Sequence, residues 1–493
     1  MTRISNDNLP GAAWWLRWAS GLYLALPWAM FMAGWLRPTW AIGLGAVMLG
    51  GLVVMMLDQH RAAGAPWPRD RAGFWRLVVV LIATALCMAL SGSGGVGYQY
   101  EDYHKHNAIL KALIDRPWPV VFDTSMLFDR PSALVYYVAY YLPGAAVGKL
   151  CGWGAAQAAM FTWTAIGAAL GLGWFVQLAG RRPIASVMFV LLMGGWDILG
   201  HVLHLEPVGI FRLTGGEVWS GVWQYDAGAI SLMWAPQHTL IGWIAPAMAI
   251  ESLTGRGGVG RQMFIVGLAA LWSPLVMIGM APFLVMALWR WRRERFGVME
   301  LAAGGAMLAV AGLYYITRQG SMPMGWIWDQ IGAGVFAERY ALFVLIELGP
   351  LAGLWFWAQK ARRAEREDRM LWWACMVLLL LLPLYRLGQY NDLAMRGSDP
   401  AVFAVLLLTW RAAWAAVDAG RRPVAWAFAV VLAIGMVVPA YRLFQAAQAW
   451  TLSVPEESAV RQIEYLREPR ITAQYIGPID ESVFFKYLAR SPR

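Results

Sequence analysis

Residues 76–107 read RLVVVLIATALCMALSG and then SGGVGYQYEDYHKHN. The first half is a helix-length apolar run with a single charge, Arg76, at its start. At about 1.5 Å per residue, such a run crosses most of a hydrocarbon layer roughly 30 Å thick. The second half opens on glycines, then turns polar with Glu101, Asp102, His104, Lys105 and His106 within six residues. An apolar run emptying into a polar loop is the unit from which the rest of the chain is built.

Outward from this stretch, similar runs recur between short Arg-rich loops. The 493 residues are 59% hydrophobic and 14% charged, too few charges for the surface of a soluble protein of this size. The net charge of +10 comes from the short basic clusters between apolar runs, the distribution of cytoplasmic loops rather than of a nucleic-acid interface. Arg61 to Arg71, Arg181 and Arg182, Arg256 and Arg261, Arg290 to Arg295, Lys360 to Arg369, and Arg421 and Arg422 form six such loops. Placing them on one side gives eleven crossings: 12–36, 41–57, 76–92, 154–180, 183–200, 236–253, 298–317, 341–358, 371–385, 400–418 and 424–440.

The expected fold is therefore all-α, a polytopic helical bundle with the N-terminus inside. Residues 1–440 form the membrane module, and 441–493 form a short extracytoplasmic tail. The first run, Trp14 to Trp35, is too long for a cleavable leader and lacks a small-residue cleavage site. With thirty Trp residues, many helix ends should carry one at headgroup level. Cys87, Cys151 and Cys375 have neither metal-ligand spacing nor a paired framework and read as small core residues. No repeat of fixed period is visible.

Two segments break the alternation. Residues 131–150, PSALVYYVAYYLPGAAVGKL, read as a Tyr-rich helix on the outer interface, broken at Pro143. Residues 262–288 contain Trp272-Ser273-Pro274 and Pro282 and are too short for two crossings, so they read as a shallow helical hairpin. The outer side then carries 93–130, 201–235, 318–340 and 386–399, and any chemistry belongs there.

In the first outer loop, Glu101 and Asp102 stand side by side between Tyr100 and Tyr103. Burial and mutual repulsion should raise the pKa of one of them, fitting it to act as a general base. Read blandly, the loop is a solvated stretch with a helix start at Asp102. In the second loop, His201, His204 and Glu206 (HVLHLE) put two imidazoles on one helix face. Histidines bonded to backbone, water or a sugar hydroxyl account for them better than a metal site; a divalent cation is left open and none is required. Gln237 and His238, in WAPQHTLIGW, face the outer mouth as helix caps or sugar-binding donors.

The stretch 384–400, LYRLGQYNDLAMRGSDP, lies between two strongly apolar helices. Arg386, Tyr390, Asn391, Asp392 and Arg396 are costly there unless paired or facing a wet cavity. Guanidinium forks match phosphate oxygens; the competing reading pairs an arginine with Asp392 or Asp399 to hold two helices.

The order of these parts resembles the GT-C superfamily of polytopic glycosyltransferases over roughly residues 76–420. It rests on the outer loop with Glu101-Asp102, the Tyr-rich segment ending in GKLCGW, and the GRRP turn after the following span. The chain departs from better-known members in lacking the oligosaccharyltransferase-type signature and a large soluble C-terminal domain. The resemblance implies a multi-pass protein of the bacterial cytoplasmic (inner) membrane, working in cell-envelope synthesis. It implies inverting transfer of a sugar from a polyprenyl-phosphate-linked donor to a hydroxyl of a glycan, lipid or protein acceptor. Asp102 matches the base, with Glu101 as the adjacent alternative. Arg386, Arg396 and Lys105 would neutralise the leaving phosphate. Tyr100, His104, His106, His201, His204, Gln237, His238, Tyr390, Asn391 and Asp392 would bind substrate. Membrane lipids are the other expected partners, and nucleic acid is not. The stretch GSGGVG at 92–97 follows a span, not a strand, so it is no nucleotide loop. The rival readings are a transporter or flippase, or a noncatalytic membrane subunit of a polysaccharide or lipid export system.

Overall fold

A computed structural model describes residues 14–60, 71–122, 131–203, 217–254, 258–290, 296–318, 323–388, 390–462 and 473–491. The described chain is mostly helical. Among the described residues, five helices are long and apolar enough to cross a membrane: Pro38–Leu57, Arg71–Leu90, Trp153–Ala179, Val298–Ile316 and Asp392–Asp418. Two bent pairs, Ala333–Glu347 with Gly349–Ala361 at 52° and Arg422–Gly435 with Val437–Gln448 at 45°, pass the same test together, each a broken span or a re-entrant loop. Trp14–Trp35 and Pro236–Thr254 are also helices of about that length, but carry more polar and indole groups.

Several expectations need correcting. The stretch 183–200 is not one helix: Pro183–Leu192 ends, Gly194 and Gly195 intervene, and Asp197–Val202 follows. The segment 131–150 is α-helical only from Leu142, in the helix Leu142–Cys151, with one 3-10 turn before it at Val138–Tyr140. Its first part is a strand, Ser132–Leu134, and Pro143 starts the helix rather than breaking it, because its missing N–H is unneeded in a first turn. The expected hairpin at 262–288 consists of Val259–Ala270, Pro274–Gly279 and Ala281–Arg290.

Tryptophan is also used inside. Trp28, Trp35, Trp174, Trp219, Trp223, Trp272, Trp355, Trp372 and Trp410 are fully buried. Several donate their indole N–H across helix contacts, Trp28 to the Leu268 carbonyl at 3.1 Å and Trp174 to Ser20 at 2.8 Å. In a bilayer, a large ring that also supplies a hydrogen bond suits such contacts. Cys375 is buried, Cys87 half-buried, and Cys151 exposed rather than in the core. One marker of the basic loops, Arg261, is buried in an ion pair with Glu300 at 2.8 Å.

Two small sheets cross-brace the helix ends. Ser132–Leu134 pairs antiparallel with both Val121–Phe122 and Ile476–Pro478. Met324–Trp326 pairs with Tyr385–Leu387. The last described residues fold back: Phe484 packs edge-on against Tyr314 and Phe485. The C-terminal segment is therefore part of the helical body at these points, and it reaches the cavity described next.

Candidate functional site

The helix Asp102–Asp115 starts right after the glycine-rich turn, and its inner face is fastened by polar contacts. Tyr103 donates its hydroxyl to the Ser91 carbonyl at 2.6 Å. His106 contacts the Tyr141 hydroxyl with Nδ1 and the Trp234 carbonyl with Nε2 at 3.1 Å. Asn107 donates to Gln99 at 3.1 Å and accepts from Gln157 at 3.2 Å. With that face fixed, Asp102 and Lys105, one turn apart, line a cavity of about 200 Å³ and meet each other at 3.1 Å.

Glu101 is at the rim. The opposite walls come from far along the chain: Tyr136 and Tyr137, Gln224 and Asp226, Gln237 and His238, Arg318, Tyr390, Asp392 and Arg396, and Gln474 and Tyr475. Aromatic rings are prominent, with Tyr136 stacked on Tyr137 at 4.3 Å and tilted against Tyr475 at 5.1 Å. His238 holds Ser273 at 2.7 Å through Nδ1, and Ser273 in turn caps the helix Pro274–Gly279 by accepting the Val276 N–H. The Trp-Ser-Pro stretch thus orients a cavity histidine. Gln237 is buried, and its Oε1 meets no hydrogen-bond partner among the described residues.

Arg396 is set by acceptors that the sequence reading did not choose. Its guanidinium donates to Asp226 Oδ2 at 2.7 Å and to Ser231 at 3.1 Å, with both charged side chains buried. The expected partners, Asp392 and Asp399, are replaced by an acid 170 residues earlier. Burial pushes the Asp226 carboxyl above its ordinary value, although Arg396 and Gln224 oppose this. For Asp102 the expected rise is reversed. Burial acts upward, but the Lys105 ammonium, with His106 and Arg396, outweighs it and holds the carboxyl below the usual range. Lys105 is correspondingly raised: burial alone would lower it, and Asp102 overcomes that. His106 is pushed down to about 4 by burial and Lys105, so it is neutral at physiological pH.

Of the residues expected at the site, Glu101, Asp102, Lys105, Gln237, His238, Tyr390, Asp392 and Arg396 share the cavity. Others support it from behind. Tyr100 stacks on Trp234 at 4.7 Å, His106 holds Tyr141, and Asn391 donates to the Val222 carbonyl at 3.1 Å. Arg386 is elsewhere: it belongs to the short ladder with Met324–Trp326 and donates to Gln330 at 3.0 Å and to the Gly388 carbonyl at 3.2 Å. His104 is exposed and His201 ends the helix Asp197–Val202, neither on the cavity wall. His204 and Glu206 lie outside the described residues. Among the described residues, no three His, Cys, Asp or Glu side chains converge to hold a metal ion.

The sequence reading missed Asp226, Arg318, Tyr136, Tyr137 and Tyr475. Arg318 had a signal: it directly follows a span at the end expected to be outside, against the positive-inside pattern. Its guanidinium lies 6.0 Å from the centre of the Tyr137 ring. Neither protein-family models nor curated protein sequences match this chain.

Proposed function

We propose that this protein is a GT-C-type membrane glycosyltransferase with about eleven crossings. It transfers a sugar from a polyprenyl-phosphate-linked donor to an acceptor hydroxyl at the outer face, with inversion. The single observation that carries this reading is the convergence of Asp102, Lys105, Arg396, Arg318 and an aromatic wall on one cavity, from segments that all fall on one side of the expected topology. In the proposed step, the acceptor oxygen attacks the anomeric carbon and the bond to the phosphate oxygen breaks. The hydroxyl proton passes to Asp102, with Glu101 as the alternative acceptor. The leaving phosphate gains a negative charge, and cations already fixed in a low-dielectric site stabilise that charge without reorganising. Lys105, Arg396 and Arg318 are the cations of the cavity; Arg386 is withdrawn from this role because its side chain is committed to Gln330 and Gly388.

A lowered pKa at Asp102 makes it a weak base, which suits a reaction whose bond to the leaving group is largely broken before the proton moves. Tyr136, Tyr137 and Trp234 offer faces on which a sugar ring can stack, and Gln237 and His238 offer polar atoms for its hydroxyls. The test is Asp102→Asn in purified protein, measured with a panel of polyprenyl-phosphate sugars. The expectation is retained folding and retained binding of polyprenyl phosphate, with transfer lost. Normal transfer by both Asp102→Asn and Glu101→Gln would remove the acidic pair from the mechanism. Absence of polyprenyl-phosphate binding by the wild-type protein would sink the donor class.

A further inference from the structure

Behind the Asp226 wall of the cavity, three more carboxyl groups are buried together. Asp197 opens the helix Asp197–Val202, Glu347 closes the helix Ala333–Glu347 at the 52° bend, and Glu217 begins the segment that leads to Asp226. They are 1%, 2% and 2% exposed. Glu217 accepts the Ala227 N–H on both oxygens, each at 3.0 Å. Glu347 Oε1 accepts the Trp219 indole N–H at 2.8 Å. Both oxygens of Asp197 meet no N–H or O–H donor among the described residues, and the Asp197 carboxyl faces that of Glu347, which the Gly195 N–H also approaches.

The backbone makes room for this. A methyl group on Gly194 would sit 3.0 Å from Glu217 Oε1 and 3.1 Å from Asp197 Oδ2. On Gly195 it would sit 2.0 Å from Glu347 Oε2. The two glycines leave space that carboxyl oxygens fill. Glu217 also contacts Asp226, and Asp226 is bound to Arg396. Glu347, Glu217 and Asp226, all acids, act on Asp197, and Arg396 reaches the row at its cavity end.

Two carboxyl groups buried against each other cannot both be ionised, because desolvation and mutual repulsion both act against the second charge. One carboxyl donating its proton to the other is the arrangement that satisfies both. With no three-ligand metal geometry among the described residues, the fitting ligand is the proton.

We propose that Asp197, Glu347 and Glu217 form a proton-binding site that is occupied at neutral pH and coupled to the cavity through Asp226 and Arg396. The site stands whether or not the transferase reading does. Burial pushes Glu217 well above the carboxylate range, with Asp226 adding to the effect, which agrees with the geometry. When the site releases its proton to water, the row gains a negative charge, and Arg396 is held more tightly away from any anion in the cavity.

Infrared difference spectra of the full-length protein in lipid nanodiscs, from about pH 5 to about pH 9, test this directly. A protonated-carboxyl band should persist at neutral pH and shrink in both Asp197→Asn and Glu347→Gln. Glu347→Gln keeps an acceptor for Trp219, so it covers the case in which Asp197→Asn fails to fold. Asp226→Asn removes a negative neighbour and leaves Arg396 unneutralised, and both effects should move the titration of the band to lower pH. A neutral-pH band unchanged in Asp197→Asn and Glu347→Gln would overturn the site. A titration unmoved by Asp226→Asn would sever its link to the cavity.

Discussion

Replacing Arg396 by alanine should be the most destabilising single change in the cavity, and the structure sets its size. Asp226 is the acid left behind, with its side chain 1% exposed. Removing one partner of a buried ion pair costs about 3–5 kcal/mol, because the other charge stays desolvated and alone. The lost bond to Ser231 adds about 1 kcal/mol. Asp226 can escape part of this by taking up a proton, which its raised pKa already favours. The sign follows: the penalty is small where Asp226 is protonated in both folded and unfolded protein, and it grows as pH rises above the ordinary aspartate value of about 3.9. Arg386→Ala is the control. That side chain is half-buried on a surface ladder, and its ordinary hydrogen bonds to Gln330 and to the Gly388 carbonyl are worth about 1 kcal/mol each. Unfolding in mild detergent, followed by protease susceptibility at about pH 5 and about pH 8, measures both. Arg396→Met with Asp226→Asn should recover most of the stability lost by Arg396→Met alone. Equal losses for Arg396→Ala and Arg386→Ala, or a double variant no better than the single, would refute the reasoning.

Asp102→Asn should lower sugar transfer by about 10²–10⁴-fold, the range for losing a general base, with the unfolding midpoint little changed. The pH–rate profile should lack a limb near 6.5, because His106 titrates at about 4 and stays neutral above it. Its acidic limb should lie below the ordinary carboxylate range, since Asp102 is held low and its pairing with Lys105 is lost only as pH falls through that lowered value; Lys105→Met should shift the limb upward, and an unmoved limb would detach it from Asp102. Gly195→Ala should destabilise the fold, because its methyl would lie 2.0 Å from Glu347 Oε2, and near-normal thermal stability would show that the carboxyls are not packed there. With exposed Cys151 replaced by serine, a cysteine at Ser453 should react with impermeant reagent added outside and one at Gly420 should not; labelling of both would break the topology on which the outer face depends.

Helix positions were legible because a bilayer makes one demand that a sequence displays linearly: a run of apolar residues long enough to cross. Trp153–Ala179 and Val298–Ile316 match the expected crossings to within about a residue or two. What was not legible is where an apolar run stops being one helix. At 183–200 the hydropathy continues through Gly194 and Gly195, yet the helix ends there. The reason is tertiary: those glycines give their space to Glu217, Asp197 and Glu347, two of which come from other parts of the chain. The tryptophans also have a second use that composition does not display. Composition marks a ring that can anchor at an interface, but the same ring, with its one N–H, serves as well to bridge two helices inside.

The site divides along the same line. Asp102 and Lys105 were found because they are neighbours on one helix turn, and such proximity is written in the sequence. The sequence marks Arg396 as a charge too expensive to be idle near hydrocarbon, and its nearest acids along the chain are Asp392 and Asp399. Asp226 lies 170 residues away and carries no local mark beyond being an acid in a long loop. Cost identifies that a buried arginine must have a partner, while only the fold identifies which. Arg386 makes the converse point. It sits ten residues before Arg396 in a stretch that looks uniformly functional, but the short ladder with Met324–Trp326 turns its side chain to Gln330. The same principle explains the carboxyl row behind the cavity: each acid is unremarkable in its own loop, and only their meeting at Gly194 and Gly195 leaves oxygens without donors and makes a proton part of the structure.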